Sequence, residues 1–371
     1  MNVTAVNELI EQVRKEVGIP YLDVLCYKEH REVFRYLSGE NTTGKEKLYM
    51  YSCGKPITVV SALRLIEEGK LSLEDKVCDY LPEIKNAFII NEQGEKEYVG
   101  EQMTVRHLFT MTSGFTYEVY APHLVRFAKE SQGKATLRDF IAKFVEAPLA
   151  FAPGPNYKYS ISHDVLGAVT EVITGKKFSE YVKECIFAPL GMKESRFDNK
   201  EENMADVYMA YADGRVERIV EEKFLIPTPA YESGGAGLVS TVEEYIRFAD
   251  ALACGGVAAN GYQVLSEPTL RQLVSEQLKE IAINNDFACV QGSDYGYGLG
   301  VRIRQVSTEW GLDKGEFGWD GAAGSYVMID PKNKFSVFIG VHLRNWPVAF
   351  KGRHLQIVEK LYRELKEIIE G

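Results

Sequence analysis

A serine and a lysine three positions apart stand directly before a long apolar segment of this chain. Ser52 and Lys55 are followed by Pro56 and by apolar residues on nearly every face of a helix that ends near Gly69. Residues three apart on a helix lie on the same side, so the lysine amine can reach the serine hydroxyl. Such an amine can activate a weak nucleophile. The spacing predicts Ser52 as a nucleophile at the start of a buried helix, with Lys55 as its partner.

The same spacing occurs a second time and has a plainer interpretation there. Ser131 and Lys134 lie in a polar stretch with no apolar helix behind it, which predicts a solvated loop. Taken alone, Ser52 could likewise be only the N-cap of its helix. The choice between a cap and a nucleophile therefore depends on the rest of the chain.

Composition restricts the class of protein and its partners. Of 371 residues, 45% are hydrophobic and 26% charged, which is typical of a globular protein with a large core. The net charge of −10 argues against a nucleic-acid surface. No apolar run approaches the length of a membrane span. We expect a small-molecule substrate and neither a nucleic acid nor a membrane as partner.

Cysteine and histidine positions give no sign of a metal or a disulfide framework. The chain has 6 cysteines without C-x-x-C spacing, and its histidines lack partners at metal-ligand spacing. We therefore expect free thiols, no metal and no cofactor. The beginning of the chain has no basic segment followed by an apolar export signal, which predicts a cytoplasmic location.

Periodicity predicts strands at both ends of the chain and mostly helices between them. The predicted elements are a hairpin of strands 21–27 and 33–37, helices starting after Thr104, Thr136 and Thr241, strands over 297–304, 324–329 and 335–342, and a final helix over 348–369. This order predicts an α+β fold, in which one antiparallel sheet built from both termini is flanked by helices and carries an inserted, mainly helical lobe. The predicted division is residues 1–52 with 291–371 as the sheet region and 53–290 as the helical region, with the active site between them.

A second motif reveals a family resemblance. Tyr159, Ser160 and Ile161 stand just before another apolar helix, and Tyr157 precedes them. With the Ser52 motif, this chain resembles the β-lactamase-like serine hydrolases, a superfamily of class C β-lactamases, penicillin-binding D,D-peptidases, D-aminopeptidases and carboxylesterases. Its members use S-x-x-K, then Y-x-N, then a K-T-G or H-x-G strand. Segments 71–82, 103–114 and 234–241 look like family segments in the family order.

The resemblance implies a role for each matching residue. Ser52 would be the acylated nucleophile, Lys55 the amine that shares its proton, and Tyr159 the phenol that relays protons to the leaving group. An ammonium beside a phenol lowers the phenol's pKa, and a desolvated lysine loses its proton more easily. The sequence leaves open which of the two is the general base. Tyr157 is a rival for this role, but the serine that follows Tyr159 favours Tyr159.

Two departures from the family pattern bear on the substrate. Ile161 replaces the asparagine of the second motif, and Trp319 and Asp320 occupy the third motif where a lysine or histidine is usual. We expect Asp320 either to face the substrate, where it would repel a carboxylate at ~4 Å by roughly 4 kcal/mol, or to pair with an arginine or end a turn.

The rest of the third motif needs only its backbone. Gly321 would keep the chain approachable, and the backbone amides of Ala322 and Ser52 would form an oxyanion hole. Trp319, Asp320 and Gly321 are accordingly the predicted substrate-binding residues.

The pattern of Ile161 and Trp319 is similar to that of the esterase members of the family. This resemblance implies hydrolysis of a small neutral ester or amide through an acyl-enzyme on Ser52. One alternative is a D-aminopeptidase-like amidase in which Asp320 binds a substrate ammonium. Others are β-lactamase or D,D-peptidase activity, and a catalytically weak sensor of the penicillin-binding type.

Overall fold

This computed structural model describes residues 3–39, 42–198, 204–220, 225–278 and 294–371. Strands lie towards both ends of the chain, and a mainly helical section lies between them. The helices are α1 Thr4–Val17, α2 Lys55–Glu67, α3 Val77–Tyr80, α4 Val105–Phe109, α5 Pro122–Glu130, α6 Leu137–Phe144, α7 Ser162–Thr174, α8 Phe178–Val182, α9 Val242–Ala253, α10 Glu267–Leu273, α11 Pro347–Phe350, α12 Arg353–Glu364 and α13 Lys366–Glu370. The strands are β1 Tyr21–Lys28, β2 Arg31–Gly39, β3 Leu48–Tyr49, β4 Phe88–Ile90, β5 Lys96–Tyr98, β6 Val207–Ala210, β7 Val216–Ile219, β8 Val239–Ser240, β9 Tyr295–Tyr297, β10 Arg302–Arg304, β11 Phe317–Asp320, β12 Tyr326–Asp330, β13 Phe335–Gly340 and β14 Leu343–Arg344.

Seven strands form the central sheet in the order β2-β1-β13-β12-β11-β10-β9. All neighbouring pairs in this sheet are antiparallel, and Leu25 of β1 lies opposite Phe338 of β13. Because β1 comes from the N-terminal part and β13 from the C-terminal part, the two ends of the chain meet inside one sheet. The predicted α+β fold class is confirmed.

Helices cover both faces of this sheet. On one face, α1 and α12 pack together over an apolar core that includes Val6, Met328 and Val358. On the other face, α9 packs against β1 and β13, and the rings of Tyr245 and Phe338 lie 4.6 Å apart. That second core continues into the middle section and surrounds α2, which is the helix that follows Ser52.

Two helices of the middle section begin at threonine caps, as predicted. The Thr136 hydroxyl accepts a hydrogen bond from the Asp139 amide at the start of α6, and Thr241 does the same for Glu244 at the start of α9. Each cap satisfies an amide that has no partner inside its helix. These local signals sufficed to place the starts of α6 and α9.

Three elements differ from the predictions. The first hairpin turns over only two residues, Glu29 and His30, which have positive φ angles of 48° and 67°. The strand predicted over 297–304 is two short antiparallel strands, β9 and β10. The predicted final helix is broken into α11, α12 and α13, with Gly352 in the left-handed conformation (φ 77°) before α12. Sequence periodicity missed these breaks because they change the chain direction without interrupting the apolar pattern.

The proposed division at residue 52 and near residue 290 stays a prediction, and its second boundary lies outside the described residues. None of the helices in the described ranges is long and apolar enough to cross a membrane. Within those ranges the cysteines Cys26, Cys53, Cys78, Cys185 and Cys254 are free thiols. Cys289 lies outside them.

Candidate active site

Ser52 and Lys55 lie side by side at the start of the buried helix α2. A single 3₁₀ turn, Tyr51–Gly54, leads directly into this helix, and Pro56 occupies its first turn. The Lys55 amine nitrogen Nζ lies 3.2 Å from the Ser52 hydroxyl oxygen Oγ. Tyr51 has a left-handed φ of 46°, an unfavourable conformation for a residue with a side chain. The backbone directly before Ser52 is therefore strained.

The Lys55 amine is fully buried and has two further hydrogen-bond partners. Its Nζ lies 2.6 Å from the Gly235 carbonyl oxygen and 2.8 Å from the Tyr117 hydroxyl. Burial lowers the pKa of Lys55 to about 7, against a smaller raising effect of Asp164. Near neutral pH a substantial fraction of Lys55 is consequently uncharged and can accept a proton from Ser52.

Tyr159 lies on the other side of Ser52. Its hydroxyl shares a hydrogen bond with the Ser52 side chain and accepts one from the Trp319 indole nitrogen at 3.1 Å. The Tyr159 and Trp319 rings are stacked with centroids 5.7 Å apart. Lys55 Nζ lies above the face of the Tyr159 ring, 4.6 Å from its centroid. Tyr159 of the second motif thus lies beside Ser52 of the first motif and Trp319 of the third.

The electrostatic expectation for Tyr159 needs correction. We expected a neighbouring ammonium to lower the pKa of this phenol, but burial raises it above the ordinary tyrosine value, and the hydrogen bonds from Ser52 and Trp319 offset only part of this. Desolvation is the largest effect on this phenol, and the Asp320 carboxylate also raises its pKa. The lowered pKa belongs to the lysine and not to the tyrosine.

Tyr157, the rival for this position, packs away from Ser52. It is buried in an aromatic cluster, edge to face with Tyr297 at 5.3 Å between centroids. Ile161 is also buried in an apolar cluster and offers no polar group at the position of the family asparagine. The structure places Tyr159, and neither of these residues, beside the serine.

The third motif approaches the Ser52 turn through its backbone. A methyl group at Gly321 would lie 2.5 Å from the Met50 carbonyl oxygen, so any side chain at this position would push the two segments apart. Ala322 packs on the buried cluster that contains Tyr51, and its amide has no hydrogen-bond partner among the described residues. This amide is therefore available for a further hydrogen bond.

Asp320 faces away from this site. It follows Trp319 on β11, and successive strand residues point to opposite faces of a sheet. Its carboxylate lies 2.9 Å from the guanidinium of Arg302, a side chain with only 1% exposure that also stacks over the Tyr326 ring. The structure thus corresponds to the arginine-partner interpretation, and the expectation that Asp320 repels a substrate carboxylate is not supported.

Sequence analysis missed two residues next to Lys55. Tyr117 contacts the amine directly, and Asp164 is a fully buried carboxylate whose pKa is raised by burial and lowered in part by hydrogen bonding to Ser233 and by Lys55. Neither has a spacing that signals its role. The only hint was that Tyr117 follows shortly after a segment resembling the family, and that Asp164 lies in the first turn of α7.

A buried histidine and the second S-x-x-K copy do not take part in the hydrogen bonds around Ser52 and Lys55. His163 is buried, and burial lowers its pKa to about 3, which keeps it neutral; its ring contacts the Phe109 carbonyl at 3.3 Å. In the second S-x-x-K copy, Ser131 hydrogen-bonds the Ala128 carbonyl and Lys134 is exposed, as predicted for a solvated loop.

Comparison with known proteins identifies the family of this chain. The profile of one protein family, described as Beta-lactamase, matches residues 6–361 of the chain. The chain belongs to the Beta-lactamase family. The resemblance inferred from Ser52, Tyr159 and the neighbouring segments is thereby confirmed, and the protein is a hydrolase of this family.

Several of its relatives are esterases or related enzymes. Esterase EstB of Burkholderia gladioli is 32% identical over 227 residues, which cover 54% of this chain and 55% of the esterase. Protein Rv1367c of Mycobacterium tuberculosis is 26% identical over 76% of this chain and 73% of its own. Among solved structures, EstCE1, described as a hydrolase with promiscuous acyltransferase activity, superposes with a TM-score of 0.78 over 97% of this chain and 98% of its own, at 23% identity. At that identity the structural similarity supports the fold alone.

Proposed function

We propose that this member of the Beta-lactamase family hydrolyses a small neutral ester or amide through an acyl-enzyme on Ser52. The observation that carries the proposal is the buried Lys55 amine, 3.2 Å from the Ser52 hydroxyl and with its pKa lowered to about 7. A lysine with this pKa is a competent general base at neutral pH. A lysine with a purely structural role has no need of a lowered pKa.

Acylation begins when neutral Lys55 accepts the Ser52 hydroxyl proton and the serine oxygen attacks the substrate carbonyl carbon. The carbonyl π electrons move to oxygen, and the backbone amides of Ser52 and Ala322 stabilise the resulting oxyanion. When the carbonyl re-forms, the bond to the leaving group breaks. The leaving oxygen or nitrogen takes the proton of the Tyr159 hydroxyl, and the Lys55 ammonium gives its proton to the resulting phenolate. Lys55 is neutral again at the end of this half-reaction.

Deacylation follows the same course with water in place of Ser52. Neutral Lys55, with Tyr159, removes a proton from the water, and its oxygen attacks the acyl carbon. The Ser52 oxygen then leaves and takes the proton back. In this scheme Lys55 is the base in both half-reactions, and Tyr159, whose pKa is raised, works as a neutral proton relay.

Trp319 is the residue that supports a preference for a neutral substrate. Where β-lactam-processing members carry a lysine or histidine, this chain has an indole whose N–H is already bonded to Tyr159. An indole can stack on an apolar acyl or alcohol group but provides no charge for a carboxylate. The relation to esterase EstB supports an ester in particular.

The rival functions have less support. A substrate ammonium would need the Asp320 carboxylate, which is paired with Arg302 on the far side of β11. A weakly active sensor would be acylated at Ser52 but would release product slowly, and the buried lysine with a pKa of about 7 argues for turnover.

The decisive experiment compares p-nitrophenyl butyrate turnover and fluorophosphonate labelling in the parent protein and in Ser52→Ala. Intact-protein mass spectrometry locates the adduct. Ser131→Ala is the matched control because it removes the serine of the second S-x-x-K copy. We expect Ser52→Ala to abolish both labelling and turnover and Ser131→Ala to preserve both.

Other substrates then separate the candidate functions. Faster turnover of nitrocefin or of a D-Ala-D-Ala peptide than of the ester would replace the esterase proposal by the corresponding activity. Stoichiometric labelling with no turnover of any substrate would indicate a sensor. Turnover that survives Ser52→Ala would refute the mechanism altogether.

A further inference from the structure

A histidine, an aspartate and a cysteine converge at a place remote from the catalytic residues. His30 lies in the turn between β1 and β2, whereas Asp250 belongs to α9 and Cys254 follows directly after that helix. One potential ligand atom from each of the three side chains lies within 4.8 Å of the other two. Asp250 is buried, and the other two residues are half-buried, so the cluster is reachable from solvent at one side.

The contacts among these residues direct their polar atoms to one point. The His30 ring nitrogen Nδ1 lies 2.7 Å from Asp250 Oδ2, and the Cys254 sulfur Sγ lies 3.7 Å from Asp250 Oδ1. The backbone N–H of His30 also donates to Asp250 Oδ1 at 3.1 Å. This amide fixes the carboxylate between the imidazole and the thiol.

The turn that holds His30 is strained. Glu29 and His30 both have positive φ angles, 48° and 67°, a conformation of two-residue hairpin turns that usually requires asparagine or glycine. Backbone strain of this kind often occurs at functional positions. In this turn the imidazole of His30 lies against Asp250 near the end of α9.

The three ligand types suit zinc. Zinc binds imidazole nitrogen, thiolate sulfur and carboxylate oxygen at about 2.0–2.3 Å, and three protein ligands leave a fourth tetrahedral position for water. Tetrahedral ligand atoms at such bond lengths are about 3.4–3.7 Å apart. The shortest separation between Cys254 and Asp250, 3.7 Å from Sγ to Oδ1, matches this spacing, whereas the shortest separation between His30 and Asp250, 2.7 Å from Nδ1, is to the other oxygen, Oδ2. Because one atom from each residue already lies within 4.8 Å of the other two, side-chain shifts of about 1 Å would bring both partners to tetrahedral spacing around one oxygen.

We propose that His30, Asp250 and Cys254 form a Zn²⁺ site that fastens the β1–β2 turn to the end of α9. The ion would bind His30 through Nδ1, Asp250 through a carboxylate oxygen and Cys254 through its sulfur. The thiol would lose one proton to solvent on binding, and the imidazole would keep its remaining proton on Nε2.

Charges around the cluster are compatible with a cation. Lys334, Lys28 and Arg31 are positive groups near the turn, and the Lys334 amine is paired with Glu29 at 3.0 Å. In the absence of a metal, burial and the Asp250 carboxylate raise the pKa of the Cys254 thiol to about 12. A bound zinc ion lowers the pKa of a coordinating thiol until it is deprotonated.

The test measures zinc binding by the full-length protein after dialysis against a chelator. Equilibrium dialysis with Zn²⁺ gives the stoichiometry and affinity, and Co²⁺ substitution reports a thiolate ligand through its near-ultraviolet charge-transfer band. The variants are Cys254→Ser and His30→Gly, because glycine accepts the left-handed turn and should leave the hairpin intact. The matched controls are Cys185→Ser and Glu29→Gly.

We expect one zinc ion per chain, an affinity at least tenfold weaker in either cluster variant, and affinities within twofold of the parent in both controls. The cobalt band should vanish in Cys254→Ser alone among the cysteine variants. The proposal is overturned if the parent binds no zinc saturably at micromolar concentration, or if binding persists unchanged in Cys254→Ser and His30→Gly. In both of those cases the cluster is an ion pair between the turn and the helix.

Discussion

The amine of Lys55 lies 2.8 Å from the hydroxyl of Tyr117, a residue 62 positions further along the chain. This phenol, the Gly235 carbonyl and the Ser52 hydroxyl are the hydrogen-bond partners of an amine that is otherwise surrounded by protein. Tyr117 therefore helps to determine both the direction and the protonation of the proposed base. Its contact with the lysine is closer than that of Tyr159, which presents its ring face.

Replacing Tyr117 by phenylalanine should slow catalysis without preventing acylation. The lost hydrogen bond to a charged or partly charged amine is worth about 1.5 kcal/mol, which corresponds to roughly a tenfold decrease in kcat/KM for an ester. Fluorophosphonate labelling should still occur at Ser52. Tyr120→Phe is the control, since Tyr120 is exposed on the same loop and its hydroxyl accepts from the Leu225 amide. An unchanged kcat/KM in Tyr117→Phe would mean that the contact is incidental.

The pH dependence of catalysis should follow Lys55. Because the base must be unprotonated and its pKa is lowered to about 7 by burial, kcat/KM should rise with pH through about 7 and level off above it. Activity is lost on the acid side, where Lys55 becomes an ammonium. The measurement is kcat/KM for a non-ionising ester between about pH 5 and 9. A profile that is flat across this range, or that falls as the pH rises, would exclude Lys55 as the base.

Asp320→Asn should affect stability more than specificity. It removes one carboxylate from the buried Arg302, which keeps a weaker contact with Glu316 at 3.5 Å. Leaving a buried charge partly unpaired should cost about 2–4 kcal/mol of unfolding free energy in urea. The control Asp313→Asn removes the exposed pair with Lys332 and should change stability little.

The same variant tests the aminopeptidase interpretation. The ratio of kcat/KM for amine-bearing and neutral esters should be unchanged in Asp320→Asn, because the carboxylate faces away from Ser52. A selective loss of the amine-bearing substrate would restore Asp320 to the substrate site.

Gly321→Ala should reduce kcat through a local displacement of the third motif. The added methyl group would lie 2.5 Å from the Met50 carbonyl and would displace the Ala322 amide from the proposed oxyanion position. Loss of one oxyanion donor typically costs about 10²–10³ in kcat. Gly167→Ala is the matched control, because a methyl group there meets its neighbours at an ordinary 3.6 Å and lies inside α7. Equal kcat values for the two variants would argue against the Ala322 amide as a donor.

Local sequence patterns determined much of the framework. The distance between Ser52 and Lys55 depends on one helical turn, and the starts of α6 and α9 depend on threonine caps, so both are encoded within a few residues. The alternating and helical apolar patterns predicted the sheet of both termini, and the resemblance carried by the Ser52 and Tyr159 motifs predicted the family to which the chain belongs. These features need no knowledge of which elements pack together.

The tertiary structure decided the chemical environment of those residues. The contact of Lys55 with Tyr117 and the pairing of Asp320 with Arg302 join residues far apart in the chain, and no spacing encodes them. Successive side chains of a strand point to opposite faces of the sheet, so a strand that ends at Asp320 directs this side chain to the face away from Trp319. The pKa of Lys55 also lay beyond sequence analysis, because it depends on how completely the folded protein excludes water from one amine.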